Sequence, residues 1–246
     1  MSDTEPSQAR FQGQFPQTRW SVVLAARDAE DQLAATALDE LCRAYWFPLY
    51  VYVRRRGASP EDAEDLTQGY FAALIERGYL TQVDRERGKL RSFLLTTLKH
   101  YLADEWDKTR TLKRGHGQRL VSIDAANAEE RYAMEPADEA SPDRLFDRRW
   151  ALTLLDNVLT ALRADYASAG QERLFDGLKK FLAWNSASEA YRETAAELGM
   201  KENAVRVAVF RLRRRYGNLL RDQVADTVTS PDEVPAELEQ LLSLMR

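Results

Sequence analysis

Hydrophobic residues recur every three or four positions along this chain, and nowhere do they alternate with polar residues over a useful length. The first period is typical of amphipathic α-helices, whereas half-buried strands require alternation. Further apolar stripes begin near Arg148 and continue to a pair of short helical patterns at 191–221. We therefore predict an all-α fold. Its first four helices are predicted to cover residues 18–28, 30–56, 60–76 and 89–113.

Breaks in this pattern divide the chain into two small helical domains. Ser59 and Pro60 predict one helix start, with Ser59 as the N-cap. Between residues 118 and 147, prolines and acidic residues replace the apolar stripes, which is typical of a flexible linker. The apolar residues near the C-terminus fit a short amphipathic helix, either frayed or docked. The predicted organisation is a disordered N-terminus at 1–17, a first domain at 18–117, an acidic flexible linker at 118–147, a second domain at 148–224 and an acidic tail at 225–246.

Charge is segregated along the chain, although the total is only −4. Residues 61–76 carry five acidic side chains and no basic one, and residues 122–147 have a net charge of −6. Residues 85–119 and 201–221 each have a net charge of +6. Basic blocks of this kind predict contacts with a polyanion at two places, and the acidic blocks predict a basic partner.

Composition argues against several function classes. Cys42 is the single cysteine, so an internal disulfide is impossible and a reducing compartment is favoured. With His100 and His116 as the only histidines, a zinc site is not expected. No apolar run is long enough for a membrane span, and the first residues lack the apolar core of a signal peptide. We expect a cytoplasmic protein with no membrane contact, no catalytic residues, no metal and no cofactor.

Residues 191–221 have the pattern of a helix–turn–helix, with Gly199 in the turn. One face of the second helix is apolar, and another carries Asn203, Arg206, Phe210 and Arg213 with further basic residues beside them. This geometry offers a cationic helix to the major groove of DNA. The alternative is a basic surface that is only solvated.

The order of acidic helix, basic helix, acidic linker and basic helix–turn–helix resembles that of a bacterial RNA polymerase sigma factor of the sigma-70 family, extracytoplasmic-function (ECF) type. The segment Pro60-Glu61-Asp62-Ala63-Glu64-Asp65-Leu66-Thr67-Gln68 is similar to the acidic run of the family's domain 2. The resemblance implies that its outer face binds the clamp helices of the polymerase's largest subunit. The residues implied for polymerase binding are Glu61, Asp62, Asp65 and Gln68.

A second similarity covers residues 89–104, which match the family's helix for recognising and melting the −10 promoter element. Phe93 stands where the family usually has tryptophan, and His100 stands where it has asparagine. Strand opening needs a basic track and apolar surfaces for unstacked bases. The residues implied for −10 binding are Arg85, Arg87, Lys89, Arg91, Lys99, His100, Lys108 and Arg110.

The helix–turn–helix is similar to the family's domain 4, which implies −35 recognition. Val207-Ala208 replaces two positions that are commonly polar in the family. The implied partners are core RNA polymerase, through its clamp helices and flap, and promoter DNA, with an anti-sigma factor or a Ser/Thr kinase as further partners. The residues implied for −35 binding are Lys201, Glu202, Asn203, Arg206, Phe210, Arg213 and Arg214.

Two alternative functions stay open from the sequence. A stand-alone helix–turn–helix regulator would bind palindromic sites as a dimer. A nuclease would hold Mg²⁺ on clustered carboxylates such as Asp62, Glu64 and Asp65, although these point in different directions along one helix. Regulation is open as well. Thr67 is either a phosphorylation site or a helix-packing residue, and the acidic tail either masks DNA-binding surfaces or does not.

Overall fold

The computed structural model describes residues 32–76, 89–111, 128–134, 141–182, 188–228 and 230–245. These residues form α-helices joined by turns and contain no strand, so the predicted all-α fold is confirmed for this part of the chain. The helices are α1 (Gln32–Arg55), α2 (Pro60–Glu76), α3 (Leu90–Thr111), α4 (Ala128–Ala133), α5 (Pro142–Ser168), α6 (Glu172–Leu178), α7 (Ser188–Leu198), α8 (Glu202–Ala225) and α9 (Val234–Ser243). Short 3-10 turns cover Lys179–Leu182 and Pro231–Glu233. The predicted helix at 18–28 and the predicted disordered segment at 1–17 lie outside the described residues.

The boundary between α1 and α2 follows from local chemistry. Gly57 has φ +95°, a left-handed conformation that ends α1 at little steric cost. The Ser59 hydroxyl accepts a hydrogen bond from the backbone N–H of Asp62 (3.1 Å), as expected of an N-cap. Pro60 is the first residue of α2, where its missing N–H costs nothing.

Two hydrophobic cores share one long helix. The first core lies between α1, α2, α3 and the first half of α5, and the second lies between the end of α5 and α6–α8. Trp150 of α5 is fully buried in the first core, where its indole N–H donates to the hydroxyl of Tyr45 (3.2 Å). Leu162 of the same helix is buried in the second core. Continuous helical backbone therefore connects the two cores.

The segment predicted as a flexible linker is folded where the structure describes it. Residues 128–133 form α4, and α5 already begins at Pro142, six residues before the predicted start of the second domain. Ser141 caps α5 by accepting from the N–H of Arg144 (3.3 Å), so the Ser-Pro pair starts a helix here. The acidic composition suggested a solvated spacer, but three of its described carboxylates pair with cations of α1 and α3, namely Glu129 with Arg54, Asp143 with Lys99 and Asp147 with Arg91.

Helix α4 is held on α1 by one carboxylate. Glu129 accepts hydrogen bonds from the Tyr50 hydroxyl (2.6 Å) and from Nε and Nη2 of Arg54 (3.0 and 2.7 Å). These bonds, led by the one from Arg54, lower the pKa of Glu129. Burial and the neighbouring carboxylate raise the pKa of Tyr50.

The C-terminal tail is also folded. Leu241 of α9 is fully buried in the first core, together with Val224 near the end of α8. The backbone N–H of Leu90 donates to the carbonyl of Thr227 (3.4 Å), which joins the start of α3 to the segment after α8. The docked form of the tail, one of the two sequence alternatives, is therefore the one in the structure. None of the described helices is long and apolar enough to cross a membrane.

Candidate polymerase-binding and nucleic-acid-binding surfaces

Helix α2 has one buried face and one acidic face. Ala63, Tyr70 and Leu74 are buried. The Tyr70 hydroxyl donates to the carbonyl of Leu94 (2.9 Å) and lies 2.7 Å from the Thr97 hydroxyl, which fixes α2 against α3. This packing directs the opposite, negatively charged face of α2 to solvent.

The predicted polymerase-binding residues lie together on that acidic face. Glu61, Asp62 and Asp65 are exposed, and Gln68 is half-buried. Asp62 also takes part in the N-cap, because its carboxylate accepts from the Ser59 hydroxyl (2.8 Å). Gln68 donates to Glu64 one turn earlier (3.0 Å). Asp65 is therefore an exposed carboxylate near the middle of a face that suits a cationic partner.

Thr67 lies on the other side of α2. Its side chain is fully buried, and its hydroxyl donates to the carbonyl of Ala63 (2.7 Å). A kinase requires an accessible hydroxyl, so the structure favours the helix-packing alternative for this residue.

The structure separates the predicted −10 residues into several environments. Lys99 and His100 are exposed on α3, Lys89 is half-buried at its start, and Arg91 is buried with 3% of its surface exposed. Lys108 and Arg110 belong to α3, but their side chains lie outside what the structure describes. Arg85 and Arg87 lie outside the described residues.

Arg91 does not face solvent as a DNA-binding arginine would. Its guanidinium lies 3.1 Å from Asp147 of α5 and 3.1 Å from Glu237 of α9, and 4.6 Å from the ring centroid of Trp150. Lys89 pairs with the same Glu237 and donates to Gln240 (2.9 Å). The expectation of an open basic helix therefore fails at Arg91 in this conformation, because α5 and α9 pack across α3 and bring carboxylates to it.

A cavity of about 260 Å³ opens beside Lys99. Lys99 pairs with Asp143 (2.6 Å) and lies 6.0 Å from the ring centroid of Tyr52, while Arg56 lies 5.0 Å from that of Trp106. Cations beside aromatic rings can hold phosphates and stacked bases. Sequence reasoning missed this cavity, since its residues come from α1, α3 and α5 and share no motif. It is lined by Tyr52, Arg56, Lys99, Leu102, Trp106 and Asp143.

Helices α7 and α8 are joined by a three-residue turn at 199–201. Gly199 has φ +65° at the turn, and the N–H of Met200 returns to the carbonyl of Ala195 (2.9 Å), which closes α7. Helix α8 buries Val205, Val209 and Leu212 in the second core. The other side of the first half of α8, which carries Asn203, Arg206 and Phe210, is exposed.

The predicted −35 residues lie on the exposed side of α8 or in the turn before it. Two of them, Arg206 and Arg213, also contact other residues of the same chain. Arg206 pairs with Glu202 (2.7 Å) and stacks over Tyr191 at 4.6 Å from its ring centroid. Arg213 is exposed, although its Nε donates to the carbonyl of Phe181 (2.9 Å). Lys201, Asn203, Phe210 and Arg214 are exposed, and Glu202 is half-buried.

Val207 is a candidate contact that sequence reasoning left out. Its side chain is 50% exposed, and that of Phe210, one turn later, is 67% exposed. Exposed apolar side chains on a basic helix suit the apolar methyl groups that thymines present in the major groove. The sequence could have indicated this contact, because Val207 is an apolar residue that does not belong to the buried stripe of α8.

Comparison with protein families addresses the first domain. Residues 42–111 match the family model for Sigma-70 region 2. The match runs from Cys42 in α1 through α2 to the last residue of α3, so it contains both the acidic face of α2 and the basic helix α3. It supports membership of the sigma-70 family. No curated protein and no solved structure matches the chain.

A nuclease of the kind left open by the sequence would need a metal site. Among the described residues, no group of three or more His, Cys, Asp or Glu side chains is placed to hold a metal ion. Helices α4–α9 lie beyond the matched region, so their role is argued from their geometry.

Proposed function

We propose that this protein is a sigma factor of the extracytoplasmic-function type, which binds core RNA polymerase in the cytoplasm and directs it to promoters. The region 2 match over α1–α3 carries this proposal. The acidic face of α2 and the helix–turn–helix of α7–α8 add support, because one suits a basic protein surface and the other suits duplex DNA.

In this proposal the acidic face of α2 binds the clamp helices of the polymerase. Glu61, Asp65 and Gln68 supply the contacts, with Asp62 shared between the interface and the N-cap of α2. Tyr70 positions this face through its hydrogen bond to the backbone of α3. The polymerase supplies the catalytic chemistry, and the sigma factor supplies recognition.

Promoter DNA is bound at two places. Helix α3 and the segment before it contact the −10 element, with Lys99, His100 and the cavity beside Lys99 available for unstacked bases. Helix α8 enters the major groove at the −35 element. Arg206 and Asn203 read base edges there, while Arg211 and Arg214 neutralise phosphates.

Core binding tests the proposal directly. Asp65→Arg with Gln68→Ala reverses the charge at the middle of the acidic face, and we expect it to abolish capture of the sigma factor by immobilised core polymerase. The matched control is Glu130→Arg, which makes the same charge change at an exposed residue of α4. Equal capture of wild type, double variant and control would contradict the assigned interface. Failure of the wild type to bind core polymerase would contradict the function.

The double variant also separates the proposal from a stand-alone regulator. Binding of −35 duplex by α8 does not involve α2, so it should survive in the double variant. A regulator that needs no polymerase would retain its full effect on transcription when Asp65 and Gln68 are changed, whereas a sigma factor would lose it.

A further inference from the structure

We propose that α9 forms a releasable acidic cover over the start of α3, so that promoter DNA and this cover compete for Lys89 and Arg91. The acidic cover is defined as α9 with its carboxylate Glu237. Asp143 and Asp147 of α5 stay in place beside it, because their neighbours Leu145 and Phe146 are buried in the first core. The inference rests on the proposed function, because it concerns the −10 surface of α3.

The contacts of Glu237 carry the inference. This carboxylate is 1% exposed and pairs with both Lys89 and Arg91, the two cations at the start of α3. Asp147 pairs with the same Arg91 (3.1 Å), and Asp143 pairs with Lys99 two turns further along α3 (2.6 Å). Three cations that were expected to bind phosphates, Lys89, Arg91 and Lys99, thus pair with carboxylates of the same chain. A carboxylate and a phosphate offer the same kind of anionic oxygen to lysine and arginine.

The buried ion pair is imperfectly satisfied, which makes release feasible. Arg91 Nε is buried without a hydrogen-bond partner, and Glu237 Oε1 lies 3.1 Å from Arg91 Nη2 without the geometry of a hydrogen bond. Burying two charges costs desolvation that their attraction offsets only when every polar atom is satisfied. When α9 undocks, Glu237 regains water and Arg91 keeps Asp147 as its partner, so the pair of Arg91 with Glu237 adds little net resistance to opening. The ion pair instead determines the position at which α9 docks on α3.

The cover is joined to the other DNA-binding surface. Helix α9 follows α8 after residues 226–233, and the carbonyl of Thr227 in this connection accepts from the N–H of Leu90 at the start of α3. The segment that leads from α8 to the acidic cover therefore also contacts the start of α3.

The experiment uses the full-length chain and two matched variants. Glu237→Gln removes the buried charge with almost no change of shape, and Glu239→Gln removes an exposed charge from the same helix. Binding of fluorescein-labelled oligo(dT) is measured by anisotropy, because contact with phosphates by α3 does not require a known promoter sequence. Thermal melting of each variant verifies its folding.

We expect Glu237→Gln to bind oligo(dT) about fivefold or more tightly than wild type, because a larger fraction of molecules has α3 open. Glu239→Gln should match wild type, since it changes the net charge equally without contacting α3. Equal affinities of all three proteins, or equal gains in the two variants, would overturn the inference. The second of these results would show a general effect of charge.

Hydrogen exchange provides a second measurement that does not depend on a variant. In wild type, the amides of residues 234–243 should be protected, and saturating oligo(dT) should increase their exchange. Unchanged protection of α9 with oligo(dT) bound would overturn the inference. Initiation of transcription by the reconstituted holoenzyme distinguishes this failure from failure of the proposed function, because a sigma factor without a releasable cover would still direct initiation.

Discussion

Replacing Arg91 by methionine tests whether α9 is docked through a buried ion pair. Methionine keeps the unbranched apolar stem of arginine and removes the guanidinium. The change leaves Glu237, which is 1% exposed, with Lys89 as its remaining partner, and it removes the stacking on Trp150. Loss of one partner from a buried pair typically costs 3–5 kcal/mol when the structure cannot relax.

In this protein the structure can relax, and relaxation limits the loss in the free energy of unfolding. Helix α9 can undock and return Glu237 to water, so the cost of leaving Glu237 without Arg91 is limited by the free energy of docking α9. Full burial of the Leu241 side chain contributes about 1.5–3 kcal/mol to that free energy. We therefore expect Arg91→Met to lower the free energy of unfolding by about 2 kcal/mol.

Urea unfolding followed by circular dichroism measures this value, with Arg144→Met as the control at an exposed arginine of α5. The double variant Arg91→Met with Glu237→Met should recover most of the loss, because two apolar side chains then replace two buried charges. A loss below about 0.5 kcal/mol for Arg91→Met, comparable to ordinary surface changes, would refute the reasoning. So would a double variant less stable than the single one.

Three further predictions follow from the contacts of the two domains. Tyr70→Phe removes the hydrogen bond from the Tyr70 hydroxyl to the carbonyl of Leu94, and we expect the free energy of unfolding in urea to fall by about 1 kcal/mol and core binding to weaken; unchanged values would contradict the positioning role of Tyr70. Because the folded-state pKa of Glu129 is lowered, the stability it contributes is present above the usual glutamate pKa and is lost as the pH falls through the folded-state pKa. Wild type should therefore melt higher than Glu129→Gln at neutral pH, and the difference should vanish in acid; a pH-independent difference would contradict this. Phe210→Ala should weaken holoenzyme binding to a −35 duplex by about tenfold if the ring is buried against thymine methyls, and equal affinity in a gel-shift titration would show that it is not.

The sequence predicted the elements that depend on local chemistry. The spacing of apolar residues identified α1, α2, α3 and α8, and Ser59 with Pro60 located the start of α2. It also predicted an exposed acidic face on α2, since the buried stripe of an amphipathic helix fixes which residues face solvent. These inferences need only neighbours within one or two turns.

The sequence could not predict contacts between distant charges. Glu129 meets Tyr50 and Arg54, and Glu237 meets Arg91 across 146 positions. The composition of an acidic segment is the same whether its carboxylates are solvated or paired with cations. The linker was therefore expected to be looser than it is, the choice between a frayed and a docked tail stayed open, and Arg91 was expected to face DNA.

The most direct test of the central claim is reconstitution with core RNA polymerase on genomic DNA, followed by sequencing of the 5′ ends of the transcripts. A sigma factor predicts new start sites that share two sequence elements at a constant spacing, and their loss with Asp65→Arg and Gln68→Ala. Start sites identical to those of core polymerase alone, at a protein concentration that saturates the polymerase, would contradict the account.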